Sequence, residues 1–119
     1  MKKKIYIIED EEDSRRLIES ILSRNGYEII KDGNEKFADR EKMIQADLII
    51  LDVNLGIKRG DELCKELKRD KTIGHIPVIL VSAMSELHGI AIECGADSHL
   101  LKPFTRSELL RKVRSTLSG

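Results

Sequence analysis

At several places along the chain a polar group directly follows a short apolar run. Glu9 and Asp10 follow Ile-Tyr-Ile-Ile, Asp52 follows Leu-Ile-Ile-Leu, Ser82 follows Val-Ile-Leu-Val, and Lys102 follows His-Leu-Leu. If these run ends share one edge, three carboxylates, a lysine and a hydroxyl converge there. Carboxylates within about 4 Å of one another repel by roughly 4 kcal/mol per pair at an effective dielectric near 20. Protonation of one acid or a bound divalent cation relieves that repulsion. Accessible carboxylates with water positions to spare suit Mg²⁺, which takes few protein ligands and completes its shell with water and phosphate oxygens. Lys102 adds a second positive charge and Ser82 a hydroxyl donor. Such a set fits a transferring phosphoryl group, where catalysis is chiefly positioning and charge neutralisation. A carboxylate such as Asp52 can itself be the nucleophile and become an aspartyl-phosphate.

The elements that must position these groups are readable in order. Leu48 to Leu51 is an unbroken apolar run ending at Asp52, the pattern of a strand covered on both faces of a parallel sheet. Lys4 to Ile8 repeats that design. Asp13 or Ser14 is the expected cap of a first helix burying Leu17, Ile18, Ile21 and Leu22, stopped at Asn25-Gly26. Tyr27 to Ile30 is a weaker strand. Lys31-Asp32-Gly33-Asn34 reads as a turn, and Glu35 to Gln45 as a charged helix with Phe37, Met43 and Ile44 to bury. After a loop holding Gly56 and Gly60, Asp61 to Arg69 is a helix with Leu63 and Leu67 facing inward. Pro77 to Ser82 is a strand whose proline takes the tolerated first position. Glu86 to Cys94 is a short helix closed by Gly95, and Ser98 to Leu101 a fifth strand. Thr105-x-x-Glu108 forms a capping box that opens a last helix carrying Leu109, Leu110, Val113 and Leu117.

Strand–helix alternation of this kind predicts an α/β fold with helices on both faces of a parallel sheet. For the first and third strands to pool their acids they must be neighbours. A doubly wound order 2-1-3-4-5 achieves this and places the ligand site at the carboxyl ends of the strands.

Composition sets the outer limits. The 119 residues read as one domain, 1–119, large enough to fold without a disulfide or structural metal. Lys plus Arg is 21 and Asp plus Glu is 21. That balance argues against direct nucleic-acid binding, which needs a basic face. Cys64 and Cys94 lack metal-ligand spacing and are expected as reduced thiols. Met-Lys-Lys-Lys could open a signal peptide, but Glu9 and Asp10 cut the apolar run short. No segment reaches membrane-spanning length, so no membrane partner and a cytoplasmic location are expected.

From Lys4 to Leu117 the chain resembles a receiver domain of bacterial response regulators, similar to the single-domain chemotaxis regulators. Glu9-Asp10 matches the acidic pair, Asp52 the phospho-acceptor, Ser82-Ala83 the hydroxyl residue and its small neighbour. Gly-Ala-Asp-Ser-His-Leu-Leu-Lys-Pro-Phe, from Gly95 to Phe104, matches the last-strand signature with its lysine at Lys102. The resemblance implies a flavodoxin-like five-stranded sheet with five helices and a phosphorylation switch in a two-component pathway. It implies Mg²⁺ (or Mn²⁺) held by Asp10, Asp52 and the backbone carbonyl of Asn54, with Glu9 acting through water. By the same likeness Ser82 and His99 form the switch, and Asn54 and Met84 set the phosphoryl lifetime. The phosphoryl donor would be a sensor histidine kinase or a phosphotransfer protein. The signal would pass to a downstream protein target or to an output domain lying outside this chain. Such a domain modifies itself and is not an enzyme acting on a separate substrate.

Three positions depart from the pattern. Glu9 stands where Asp is commoner, which still supplies a carboxylate. Gly56 replaces a proline, and a looser loop is expected there. His99 stands where Tyr or Phe is usual, and an imidazole in that place would make the switch pH-sensitive. Pro103 matches a cis-proline in the family, though a trans turn residue is equally ordinary chemistry. His75 and His88 read as surface residues, and Arg106, Arg111, Lys112 and Arg114 as a solvated helix face or a docking surface. Two rivals share part of this chemistry. A haloacid-dehalogenase-like phosphohydrolase would carry Asp-x-Asp, but the second position here is Asn54. A phosphorylation-independent pseudo-receiver would have lost the acids or the lysine, and all are present.

Overall fold

The computed structural model describes residues 1–31, 38–56 and 58–119. Its strands are β1 (Lys4–Ile8), β2 (Glu28–Ile30), β3 (Leu48–Asp52), β4 (Val78–Ser82) and β5 (Ser98–Leu101). Its helices are α1 (Glu12–Ser23), α2 (Arg40–Met43), α3 (Gly60–Arg69), α4 (Leu87–Cys94) and α5 (Arg106–Ser118). The five strands pair in parallel in the order β2-β1-β3-β4-β5, as the pooling of acids requires.

Alternation of side chains across each strand divides the core into two layers. Ile5, Ile7, Leu48, Ile50, Ile79, Val81 and Leu100 pack with Ile18 and Leu22 of α1 and with Leu109, Leu110 and Val113 of α5. Tyr6, Ile8, Ile49, Leu51, Val78 and Leu80 pack with Met43 of α2, with Leu63, Cys64 and Leu67 of α3, and with Leu87, Ala91 and Cys94 of α4. Every residue of β3 and β4 is buried, which explains runs without polar alternation.

Several local expectations are corrected. The side chain of Glu11, not Asp13 or Ser14, caps α1, accepting from the Asp13 and Ser14 amides. Its longer side chain still reaches the free N–H groups of the first turn, which shorter caps usually serve. Leu17 lies on the outer face of α1 and is 56% exposed, one position off the buried Ile18–Leu22 stripe. The helix expected over Glu35–Gln45 is one turn, Arg40–Met43, capped by Asp39; Met43 is buried but Ile44 is 52% exposed. Phe37 and most of the expected turn from Lys31 lie outside the described residues. Between Lys102 and Pro103 the peptide bond is cis. The capping box of α5 is formed in both directions between Thr105 and Glu108.

Candidate functional site

The strand register carries the run ends to one edge of the sheet. Ile8 pairs with Leu51, Asp52 with Val81, and Ser82 with Leu101, so the residues that follow emerge side by side. Lys102 Nζ lies 2.5 Å from Asp52 Oδ2 and 2.9 Å from Glu9 Oε1. Both acids are buried, Glu9 at 7% and Asp52 at 4% exposure, so the ammonium compensates charge that water no longer solvates.

The backbone adds further donors. Asp52 Oδ1 accepts from the Asn54 amide at 2.7 Å, and Asp10 Oδ2 accepts from the Gly56 amide at 2.7 Å. The Glu11 amide reaches Glu9 Oε2 at 3.3 Å, and an Arg15 guanidinium nitrogen reaches the Glu9 carbonyl at 3.4 Å. The loop after β3 is thereby tied to Asp10. Glycine at position 56 leaves a main-chain N–H for this contact, which a proline would lack.

Burial is the largest influence on all three charged groups of this cluster. It pushes the Asp52 carboxyl up, and the neighbouring Glu9 charge adds to the rise, against the pull of Lys102 and the Asn54 amide. Burial also pushes Glu9 up, but the neighbouring Asp52, Lys102 and Ser14 groups outweigh it and hold that carboxyl low. Lys102 is pushed down by burial, yet its bonds to Asp52 and Glu9 leave it above its ordinary value. The two carboxylates thus divide unequally, with Asp52 the one nearer to neutrality. The Lys102 ammonium contacts both carboxylates, whereas the sequence reading expected protonation or a divalent cation to offset their charge.

The remaining expected residues sit at different distances from this centre. Ser82 is buried at 1% exposure, and its Oγ accepts from the Met84 amide at 3.1 Å. No hydrogen bond joins it to Lys102 or Asp52 among the described residues. Asn54 is exposed and forms an isolated bridge with Arg59. Met84 is half-buried against the α3–α4 side of the core. His99 is half-buried and sits edge-on to His88 of α4, the ring centroids 5.0 Å apart. Its imidazole is lowered first by burial, then by the charges of His88 and Lys112. Ser14, Arg15 and Gly60 also shape the site, and the sequence reading gave none of them a part in it. Gly60 carried the clearest signal, because its position beside the acid loop demands a close backbone approach.

A divalent cation can be tested against this donor set. Among the described residues, no three His, Cys, Asp or Glu side chains stand together as a metal cluster. Mg²⁺ suits the Asp10 and Asp52 carboxylates, because it takes one or two carboxylates and fills its remaining positions with carbonyl, water and phosphate oxygens. Asp10 and Asp52 would hold it, with the Asn54 carbonyl.

Comparison with known proteins gives one consistent answer. The response regulator receiver domain pattern matches residues 5–114. The alkaline phosphatase synthesis transcriptional regulatory protein PhoP of Bacillus subtilis (strain 168) is 37% identical, the match covering 98% of this chain and 49% of PhoP. The probable transcriptional regulator ycf27 of Cyanophora paradoxa is 34% identical, over 98% of this chain and 48% of that protein. The chain therefore spans about half the length of the curated relatives it matches. Among solved structures, the signal receiver domain of a signal transduction histidine kinase from Syntrophus aciditrophicus aligns with a TM-score of 0.84. It is 33% identical and covers 98% of this chain and 91% of its own. The receiver domain of sensor histidine kinase PA1611 from Pseudomonas aeruginosa PAO1, with a magnesium ion coordinated in its active site cleft, aligns with a TM-score of 0.80. The match covers 100% of both chains, and at 22% identity what is shared is the fold. No described helix is long and apolar enough to cross a membrane. With the strand order, the acids at the strand ends and the matched pattern in agreement, this chain belongs to the response regulator receiver domain family.

Proposed function

We propose that residues 1–119 form a phospho-accepting receiver domain in which Asp52 takes a phosphoryl group from a histidine kinase or phosphotransfer protein. The observation that carries this reading is the contact of Lys102 with both Asp52 and Glu9 at the carboxyl edge of the sheet. Asp52 Oδ attacks phosphorus, the P–N bond to the donor imidazole breaks, and the imidazole leaves with the bonding pair and is then protonated. Bound Mg²⁺ would supply charge neutralisation for the phosphoryl oxygens.

The chain's own groups do the rest. Before transfer, Lys102 holds Asp52 in place and opposes the effect of its burial. After transfer, one Asp52 oxygen is esterified and Lys102 is released to a phosphoryl oxygen. The Ser82 oxygen accepts from the Met84 amide, and its proton would go to a second phosphoryl oxygen. Met84 cannot orient an attacking water, which favours a long-lived acyl phosphate. Rearrangement around Ser82 then reaches the β5 surface at His99, where partner affinity changes. The recipient is a downstream protein or an output domain. A cytoplasmic location suits a kinase-coupled switch of this kind.

Intact-mass spectrometry after incubation with acetyl phosphate, with and without Mg²⁺, tests this directly. One Mg²⁺-dependent phosphate adduct, absent from Asp52→Ala, is the expected result. No adduct on folded wild type with hydrolysis quenched would turn the reading to a phosphorylation-independent binding module.

A further inference from the structure

The loop that follows β3 gives one main-chain amide to each of two acids. Asn54 N–H binds Asp52 Oδ1 at 2.7 Å, and Gly56 N–H, two residues on, binds Asp10 Oδ2 at 2.7 Å. The loop itself is fixed from behind. Leu55 is buried, its amide bonds the Val53 carbonyl at 3.2 Å, and Gly60 N–H bonds the same carbonyl at 2.7 Å. Asp10 is otherwise exposed, a carboxylate with rotamer freedom to lose.

Glycine at position 56 is not there for a left-handed backbone, since only Gly26 and Gly95 have positive φ among the described glycines. A Cβ on residue 56 would stand 3.0 Å from the same Asp10 Oδ2 that its amide binds. A proline at 56 would remove the donor altogether.

We propose that Gly56 is a positioning residue for the divalent-cation site. Its amide takes one oxygen of Asp10, leaves the other for the cation, and ties Asp10 to the same stretch of main chain whose Asn54 amide holds Asp52. This rests on the reading of Asp10 and Asp52 as cation ligands. Outer partners that orient a ligand commonly change metal affinity by about 10- to 100-fold.

The test is Mg²⁺ titration of unphosphorylated protein by calorimetry, for wild type, Gly56→Pro and Gly56→Ala, with circular dichroism to check folding. We expect the Mg²⁺ dissociation constant of Gly56→Pro to rise by about tenfold or more, at the lower end of that range. Gly56→Ala, which keeps the N–H and only crowds Asp10, should lose several-fold less. Equal losses in the two variants would assign the effect to crowding and overturn the role of the amide, as would an unchanged Gly56→Pro. A second measurement needs neither variant. The Gly56 amide of metal-free wild type should exchange with solvent at least tenfold more slowly than in Asp10→Ala, and equal rates would overturn the contact. Failure of wild type itself to bind Mg²⁺ would instead overturn the functional reading on which this rests.

Discussion

Gly60 lies against the back of Asp52, so close that a Cβ on it would stand 1.8 Å from the Asp52 carbonyl oxygen and 2.7 Å from its carbon. The first residue of α3 is thereby packed on the main chain of the proposed phospho-acceptor. Gly60→Ala must push apart two stretches of buried backbone. The expected cost is about 2–3 kcal/mol, in the range of overpacked cores. Urea denaturation checks it, and the same variant should phosphorylate more slowly because Asp52 moves with the strain. A change below about 0.5 kcal/mol, the size of an ordinary surface substitution, would show that the loop yields easily.

Lys102→Met leaves two buried carboxylates facing each other without a cation. Their side chains are only 3% and 5% exposed, so water cannot take over the ammonium's part. Removing one partner of a buried ion pair costs about 3–5 kcal/mol, and the 27% exposure of Lys102 places this case at the lower end. The sign of the pH dependence follows. In the variant a carboxyl has a folded-state pKa above its unfolded value. Its protonated form is the stable one, and the penalty grows as pH rises through the unfolded value. Chemical denaturation of the variant at acidic and neutral pH should show the deficit shrinking on the acid side. A pH-independent deficit would mean that neither burial nor mutual repulsion raises a carboxyl once the ammonium is gone.

Mg²⁺ should stabilise the folded chain by mass action, by about 2.7 kcal/mol at a concentration one hundred times its dissociation constant. In thermal melts this appears as a rise in Tm of several degrees that chelation reverses. Asp10→Ala should abolish the rise while keeping the cooperative transition. A rise that persists in Asp10→Ala would place the cation elsewhere.

His99 should give the chain a second pH response. Burial, then the charges of His88 and Lys112, hold its imidazole below the ordinary value of 6.5. The unfolded chain therefore binds the proton more readily, and stability is lost as pH falls from about 6.5 through the folded value. His99→Phe should flatten the stability profile in that window and leave the profile above pH 7 unchanged. Denaturation midpoints across the window for the two proteins decide it. Superimposable slopes would remove His99 from the pH response. Whether its protonation also biases the phosphorylated state can be read from the same variant by partner binding.

Most of the scaffold was legible because its signals are local. Apolar runs ending in acids located β1 and β3, a run ending in Ser82 located β4, and the need to pool Glu9, Asp10 and Asp52 made β1 and β3 neighbours. Thr105 and Glu108 announced the start of α5 at a spacing that needs no tertiary context. Local signals are weaker elsewhere: Leu17 fits a helical stripe in sequence yet lies one position outside the buried face. The one-turn α2 lacks the apolar periodicity that would mark its ends.

What the sequence by itself determined was which groups arrive at the sheet edge, since strand length and polarity are properties of neighbouring residues. Only the tertiary structure decided how those groups meet. Lys102 bridges Asp52 and Glu9 from 50 and 93 residues away. His99 turns its ring to His88 rather than standing alone. Gly56 binds Asp10 across 46 residues through an N–H that every residue except proline possesses. No side-chain alphabet encodes that last contact. It exists because parallel register and a loop pinned to the core bring one amide to one carboxylate oxygen.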